Sequence, residues 1–304
     1  MAAVNAPAVI RRGTSADSTA CFAVFRRSLR DLMRRIGYLP ADAPDPDPAT
    51  LWPAYVSLFD HLAATCAQWW VAEDGDGRLV GYARSTRRAD VVELTEFFVA
   101  PGARVSGVGR ALLQRAFAEP SATHRAIIAT VDAPAVGLYL RFGVAHQTTG
   151  VGIAGPPRDV ALPAGYEAVP ATLDGVLAIE RELLGHGRRE DLSFMLADRP
   201  AVLLRRGRRD VGYAFAHNEH GFAGPVAARD PADLPAALAH VEAAAHAAGL
   251  ERLDLTVPLA ATTAIDWLLA HRGMRIDPFY CLFLADAPWA RLDRYVPFNP
   301  CLML

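Results

Sequence analysis

The fold is decided by residues 91–117, VVELTEFFVAPGARVSGVGRALLQRAF. Val91 to Val99 form a short apolar run broken at Glu93, Thr95 and Glu96, which predicts a strand. Pro101-Gly102 ends it. Val108, Leu112, Leu113 and Ala116 then recur at i, i+4, i+5 and i+8, one face of an amphipathic helix predicted over 107–119. A strand that passes through Gly107 and Gly109 into a helix brings free N–H groups and the positive end of the helix dipole to one point, which suits an anion such as a phosphate. The same turn is also an ordinary way to begin a helix, so its surroundings decide. A Walker A loop needs Gly-Lys-Ser/Thr, and the chain has no lysine. A dinucleotide fingerprint needs a third glycine where Leu112 stands.

Working outward, the chain repeats itself. RLVGYARS at 78–85 returns as RDVGYAFA at 209–216, and VGLYLRFGV at 136–144 is echoed by DWLLAHRGM at 266–274, offsets of 131 and 130 residues. Two matches at nearly one offset predict a duplicated unit. In the first unit, strands around 69–73 and 79–85 flank the turn DGDG. The strand 91–99, the helix 107–119, the strand RAIIATV at 125–131 and a helix 133–142 stopped by Gly143 follow. The second unit predicts strands near 201–205, 210–217 and 222–228, an Ala-rich helix near 231–248, a strand at 252–257, a helix at 261–271 and a strand at 278–284. Both units are therefore mixed α/β, each a mostly antiparallel sheet flanked by helices. The Gly/Pro-rich 152–165 reads as the linker, giving units 1–155 and 156–304. The segment 39–50, with Pro40, Pro44, Pro46 and Pro48, reads as a loop, mobile or facing substrate.

Composition narrows the partners. With 52% hydrophobic and 21% charged residues the chain has ample material for a core and is not disordered. A net charge of -2 gives no broad basic field, so nucleic acid is not an expected partner. Cys21, Cys66, Cys281 and Cys301 are scattered without C-x-x-C spacing and read as reduced thiols. His217-Asn218-Glu219-His220 falls at a predicted hairpin turn without further ligands nearby, so no metal is expected. No secretory leader or membrane span is legible, which predicts a cytoplasmic protein without a membrane partner.

With these parts in order, the chain resembles the GNAT superfamily of acyl-CoA-dependent N-acetyltransferases. Val99-Ala100-Pro101 followed by Arg104, Gly107 and Gly109 matches that family's strand end and its Arg-x-x-Gly-x-Gly turn. Ala135, Leu138, Tyr139, Gly143 and Val144 match its second motif, with Asp132 in place of the usual Asn. The resemblance covers roughly residues 8–155 by motif and the second unit by element order. It implies a strand at Phe98 and Val99 that splays from its neighbour to receive the pantetheine arm of acetyl-CoA. It also implies a pyrophosphate site at Arg104, Ser106, Gly107, Val108, Gly109 and Arg110, and an Asp132 whose carboxylate cannot donate to the cofactor arm as an Asn would. Tyr139 is then the general acid for the leaving thiolate, against the plain alternative of a helix tyrosine packed on the sheet.

The attacking amine needs a general base. Glu96 is the leading candidate and Glu93 the runner-up; strict alternation along a strand places those two on opposite faces. Trp52, Tyr55 and Phe59 are expected in the acceptor wall. The second unit has VAARDPADLPAAL where the first has its glycine turn, and Leu269 where the first has Tyr139, so it is not expected to bind CoA productively. The expected function is acetyl transfer from acetyl-CoA to a small primary amine by direct attack in a ternary complex, at the N-terminal unit. The alternative is a regulatory acyl-CoA-binding protein without chemistry. The second unit is open to roles as a cover, a homodimer surface or a recruitment module. Trp289, Tyr295 and Phe298 of the closing segment are expected to be buried against a domain.

Overall fold

A computed structural model describes residues 8–104, 107–117 and 122–298. The chain divides into two compact units, one of residues 1–127 with 132–142, the other of residues 128–131 with 143–304.

The first unit begins with β1 (Val9–Arg12), α1 (Ser18–Arg35), the short α2 (Pro48–Leu51) and α3 (Val56–Thr65). The hairpin of β2 (Cys66–Glu73) and β3 (Leu79–Arg88) follows, then β4 (Val91–Val99), α4 (Val108–Ala116), β5 (His124–Thr130), whose residues 128–130 fall in the second unit, and α5 (Ala133–Arg141). β1, β2, β3 and β4 are joined in that order by antiparallel ladders, and β5 adds to β4 in parallel. The hairpin turn forms because Gly77 adopts φ 76° and the Asp74 carboxylate accepts from the amides of Asp76 and Arg78. Cys21, Phe22, Val24 and Phe25 on α1 are buried over Phe59, Trp69, Val71 and Tyr82, the stripe that holds α1 against the sheet. Asp17 starts α1 under a reciprocal hydrogen bond with Thr14 and a two-pronged pair with Arg11.

The second unit holds β6 (Ala145–Gly155), β7 (Tyr166–Pro170), α6 (Leu173–Leu184), α7 (Arg189–Asp198), β8 (Ala201–Arg206) and β9 (Arg209–Phe215). β10 (Val226–Ala228), α8 (Leu234–Ala247), β11 (Leu253–Pro258), α9 (Thr262–Asp266), β12 (Arg275–Ala285) and β13 (Tyr295–Val296) complete it. β6 lies between β11 and β12 in antiparallel ladders, and a second sheet runs β13-β10-β9-β8-β7. The duplicated sequence thus gives the same hairpin twice, β2–β3 and β8–β9. Each copy keeps a glycine where the next strand presses closest: a Cβ at Gly81 would lie 3.2 Å from the Phe98 carbonyl, and one at Gly212 would lie 2.5 Å from that of Ala227.

Two predicted elements are shorter than the pattern suggests. The strand expected at 222–228 is only Val226–Ala228, because Asn218 folds the preceding chain into a loop, its side-chain carbonyl accepting from the amides of His220 and Phe222. The helix expected at 261–271 is α9 followed by one wide turn, Trp267–His271. Tyr295 and Phe298 are buried as expected of the closing segment, while Trp289 is half-buried with its ring against His186.

Candidate functional site

The site is built on β4. Its ladder with β3 pairs Ser85 with Leu94 and Arg84 with Glu96, so Thr95 is an extra residue, a β-bulge, and its hydroxyl donates to the Arg84 carbonyl. A bulge bends its strand and increases the local twist. The parallel ladder to β5 runs from Val91 opposite His124 to Leu94 opposite Ile127 and stops where the bulge begins. Beyond it, Ala100 donates its amide to the Val80 carbonyl, which directs the backbone of Phe98 at β3 and that of Phe97 and Val99 away from it. The strand edge therefore presents Phe97 and Val99 as backbone partners for an extended ligand. The Ser28 hydroxyl from α1 donates to the Val99 carbonyl at 3.1 Å and closes the end of that edge. Neither Phe97 nor Ser28 is legible in the sequence, because a bulge and a contact across 71 residues leave no local pattern.

The bulge also overturns the expectation from strict alternation. Glu93 pairs with Thr86 and Glu96 with Arg84, two positions apart on β3, so both carboxylates face the same side, together with Tyr82 and Phe98. Glu96 is 1% exposed. Its Oε1 accepts from the Tyr82 hydroxyl at 2.8 Å, and its Oε2 lies 3.1 Å from Nη1 of a fully buried Arg84. Arg84 in turn stacks over the Trp69 ring at 3.9 Å and donates to the Phe59 carbonyl. Burial pushes the Glu96 carboxyl above its ordinary range, against the opposing pull of Arg84 and Tyr82. Phe25 and Phe98 meet at 4.9 Å over this cluster. Trp52, Tyr55 and Phe59 gather around Phe22, with centroids 5.0 to 5.5 Å away.

Phe97 projects from the other face of β4, where its ring meets Tyr139 edge-on at 5.8 Å. Tyr139 is 5% exposed on α5, and burial, with the Asp132 carboxylate adding to it, holds its phenol well above the usual range. Tyr139 and Glu96 thus lie on opposite faces of β4. Asp132 begins α5, and its carboxylate accepts from Arg35 Nη1 at 3.2 Å; Arg35 and Arg104 both pair with Asp31. The charge that departs from the family motif is matched by an arginine 97 residues away in the chain.

Past β4, Gly107 at φ 80° caps α4. A left-handed backbone of this kind costs an L-residue about 1–2 kcal/mol, so the turn calls for glycine. A Cβ on Gly109 would sit 3.3 Å from the Phe97 ring and 3.6 Å from Val99, so glycine lets the first turn of α4 lie close on the strand edge. Val108 is buried, and Arg110 is exposed on that first turn. The first amides of a helix have no partner within it and are free for an anion. Arg104 is held by Asp31. Ser106 lies outside the described residues.

Among the described residues no group of three or more His, Cys, Asp or Glu could hold a metal, and no helix is long and apolar enough to cross a membrane. An Acetyltransferase (GNAT) domain model matches residues 66–144, from the start of β2 to just past α5. Solved structures extend the likeness along the chain. A putative acetyltransferase from Pyrococcus horikoshii aligns at TM-score 0.68 and 15% identity, covering 95% of this chain and 93% of that one. A GCN5-related N-acetyltransferase from Sphaerobacter thermophilus aligns at 0.63 and 19%, covering 92% and 95%. A tandem GNAT protein from the clavulanic acid biosynthesis pathway aligns at 0.52 and 16%, covering 92% and 99%. Residues 66–144 thus match an acetyltransferase (GNAT) domain, and the chain shares its fold over more than nine-tenths of its length with these solved structures.

Proposed function

We propose that the first unit is an N-acetyltransferase that moves the acetyl group of acetyl-CoA to a small primary amine by direct attack in a ternary complex. The observation that carries this reading is the end of the β4–β5 ladder at Leu94. It leaves the Phe97 and Val99 backbone, the glycine turn and Tyr139 converging on one strand edge. The amide-bearing pantetheine arm pairs with that edge as a short strand does. Gly107 to Arg110 supply amides and positive dipole for the pyrophosphate, and Arg110 is exposed beside them. The fit is supported by Gly109, where a side chain would fill the space between helix and strand.

In the reaction the amine nitrogen bonds to the thioester carbon, the C–S bond breaks, and the thiolate leaves as CoA. The amine gives up a proton and the thiolate takes one. Glu96 accepts the amine's proton, its basicity raised by burial, and Tyr139 protonates the sulfur. Their placement on opposite faces of β4 suits this division, since nucleophile and leaving group occupy different sides of the tetrahedral carbon.

The test is free-CoA release from acetyl-CoA across a panel of primary amines, followed by mass detection of the acetylated product. Turnover with at least one amine is expected. Stabilisation of the fold by acetyl-CoA with no turnover on any amine would overturn the reading.

A further inference from the structure

The hairpin β8–β9 faces β10 as β2–β3 faces β4, and the register makes the equivalence specific. Gly81 pairs with Val99 and Tyr82 with Phe98; Gly212 pairs with Ala228 and Tyr213 with Ala227. β10 therefore corresponds to the Phe97–Val99 edge of the first unit. In the second unit that edge is already paired. β13 forms an antiparallel ladder on it, Val296 opposite Val226 and Tyr295 opposite Ala227, and packs against β11 as well. We propose that the second unit has exchanged an acyl-CoA cleft for a slot that binds an extended peptide, filled by the chain's own residues 295–298. The loss of an acyl-CoA cleft rests on the acyl-CoA reading of the first unit; the slot itself does not.

The slot is built for this occupant. The residues of β10 are small, Val226, Ala227 and Ala228, which leaves room on either face for the larger side chains of the paired strand. Tyr295, Val296 and Phe298 are at most 1% exposed. The Tyr295 hydroxyl accepts from Arg188 at 2.7 Å, Arg188 makes two hydrogen bonds to Glu180, and the Tyr213 hydroxyl donates to the same carboxylate. All four side chains are fully buried, so the inserted strand completes the surroundings of an ion pair that water does not reach. Arg199 lies over the Phe298 ring at 4.5 Å. Gly224, at φ 84°, admits the inserted backbone: a Cβ there would be 2.7 Å from the Pro297 carbonyl. Where the first unit opens a glycine turn, the second has Asp230, whose carboxylate accepts from the Ala232 amide at 3.0 Å. A carboxylate in that place repels phosphate. Backbone pairing along the edge, a phenol hydrogen-bonded at depth and an aromatic under an arginine are the recognition chemistry of a peptide.

The experiment is amide hydrogen exchange on the full chain, with and without acetyl-CoA, together with calorimetric titration of acetyl-CoA. The expected result is protection at Tyr295 and Val296 comparable to β9, unchanged by acetyl-CoA, with one equivalent bound per chain. Tyr295→Phe removes the hydroxyl that accepts from Arg188 and leaves the ring, so exchange at 295–296 speeds up about 10- to 100-fold, the range for a hydrogen bond to a charged group. Exchange at free-peptide rates in the parent, release of the segment by acetyl-CoA, or two equivalents bound would each overturn the proposal. A protected segment with no acetyl-CoA bound at all would instead sink the reading of the first unit and uphold the peptide slot.

Discussion

Replacing Arg84 with methionine tests the chemistry beneath β4. Methionine keeps much of the volume and removes the guanidinium that sits 3.1 Å from Glu96 Oε2 in a fully buried pair. The carboxylate left behind has the Tyr82 hydroxyl as its remaining hydrogen-bond donor. Breaking a buried pair in this way typically costs about 3–5 kcal/mol. The group can escape by binding a proton, which sets a ceiling: bringing a glutamate with an unfolded value near 4.3 to the protonated form at pH 7 costs about 3.7 kcal/mol, at about 1.4 kcal/mol per pH unit. The sign follows from proton linkage. In the variant the folded carboxyl titrates above its unfolded value, the native state binds the extra proton, and stability falls as pH rises from about 4.3 through the folded value. Urea unfolding of Arg84→Met should therefore show a deficit of up to about 5 kcal/mol at pH 7 that shrinks to about 2 kcal/mol at pH 5 and to about 1 kcal/mol, the lost stacking on Trp69, below about pH 4. Adding Glu96→Gln should remove most of the pH dependence. On the proposed mechanism the single variant should also lose acetyl transfer at neutral pH, because a protonated Glu96 cannot take the amine's proton. A deficit of the same size at pH 5 and pH 8, or one below 1 kcal/mol throughout, would refute this account of the pair.

Other consequences follow from single contacts. Tyr139→Phe keeps the edge-on contact with Phe97 and removes the hydroxyl, so kcat should drop about 10²- to 10⁴-fold with the KM for acetyl-CoA little changed; retention of more than a third of the parent kcat would rule out the acid role. Gly107→Ala places a side chain at φ 80°, which should lower stability by about 1–2 kcal/mol and raise the KM for acetyl-CoA, read by thermal unfolding and steady-state kinetics. The two-pronged pair with Arg11 holds the Asp17 carboxyl below its ordinary range, so it contributes stability above the unfolded value of about 3.9 that is lost as pH falls through the folded one. Asp17→Asn should accordingly flatten the acid limb of the stability curve, and an unchanged limb would count against it.

Local signals carried much of the architecture. The apolar run 91–99, the glycine turn and the apolar stripe on α4 predict strand, turn and helix because each depends on residues within a few positions of one another. The echo at offsets of 131 and 130 predicts two similar units, because like stretches of sequence carry like local patterns. The partners that complete the site come from far along the chain. Arg84 reaches Glu96 only through the β3–β4 register, and Asp31 and Arg35 reach Arg104 and Asp132 from another helix. The bulge at Thr95 was decided by how β4 bends between two neighbours, and one inserted residue was enough to turn Glu93 to the same face as Glu96. The edge of β10 taken by β13 was likewise invisible to spacing, since strand pairing joins residues about 70 positions apart. What the sequence alone determined was the order and kind of the parts, set by short-range periodicity and turn chemistry. Which carboxylate meets which arginine, and which strand edge stays open, only the tertiary structure decided, because those depend on register and packing between segments distant in the chain.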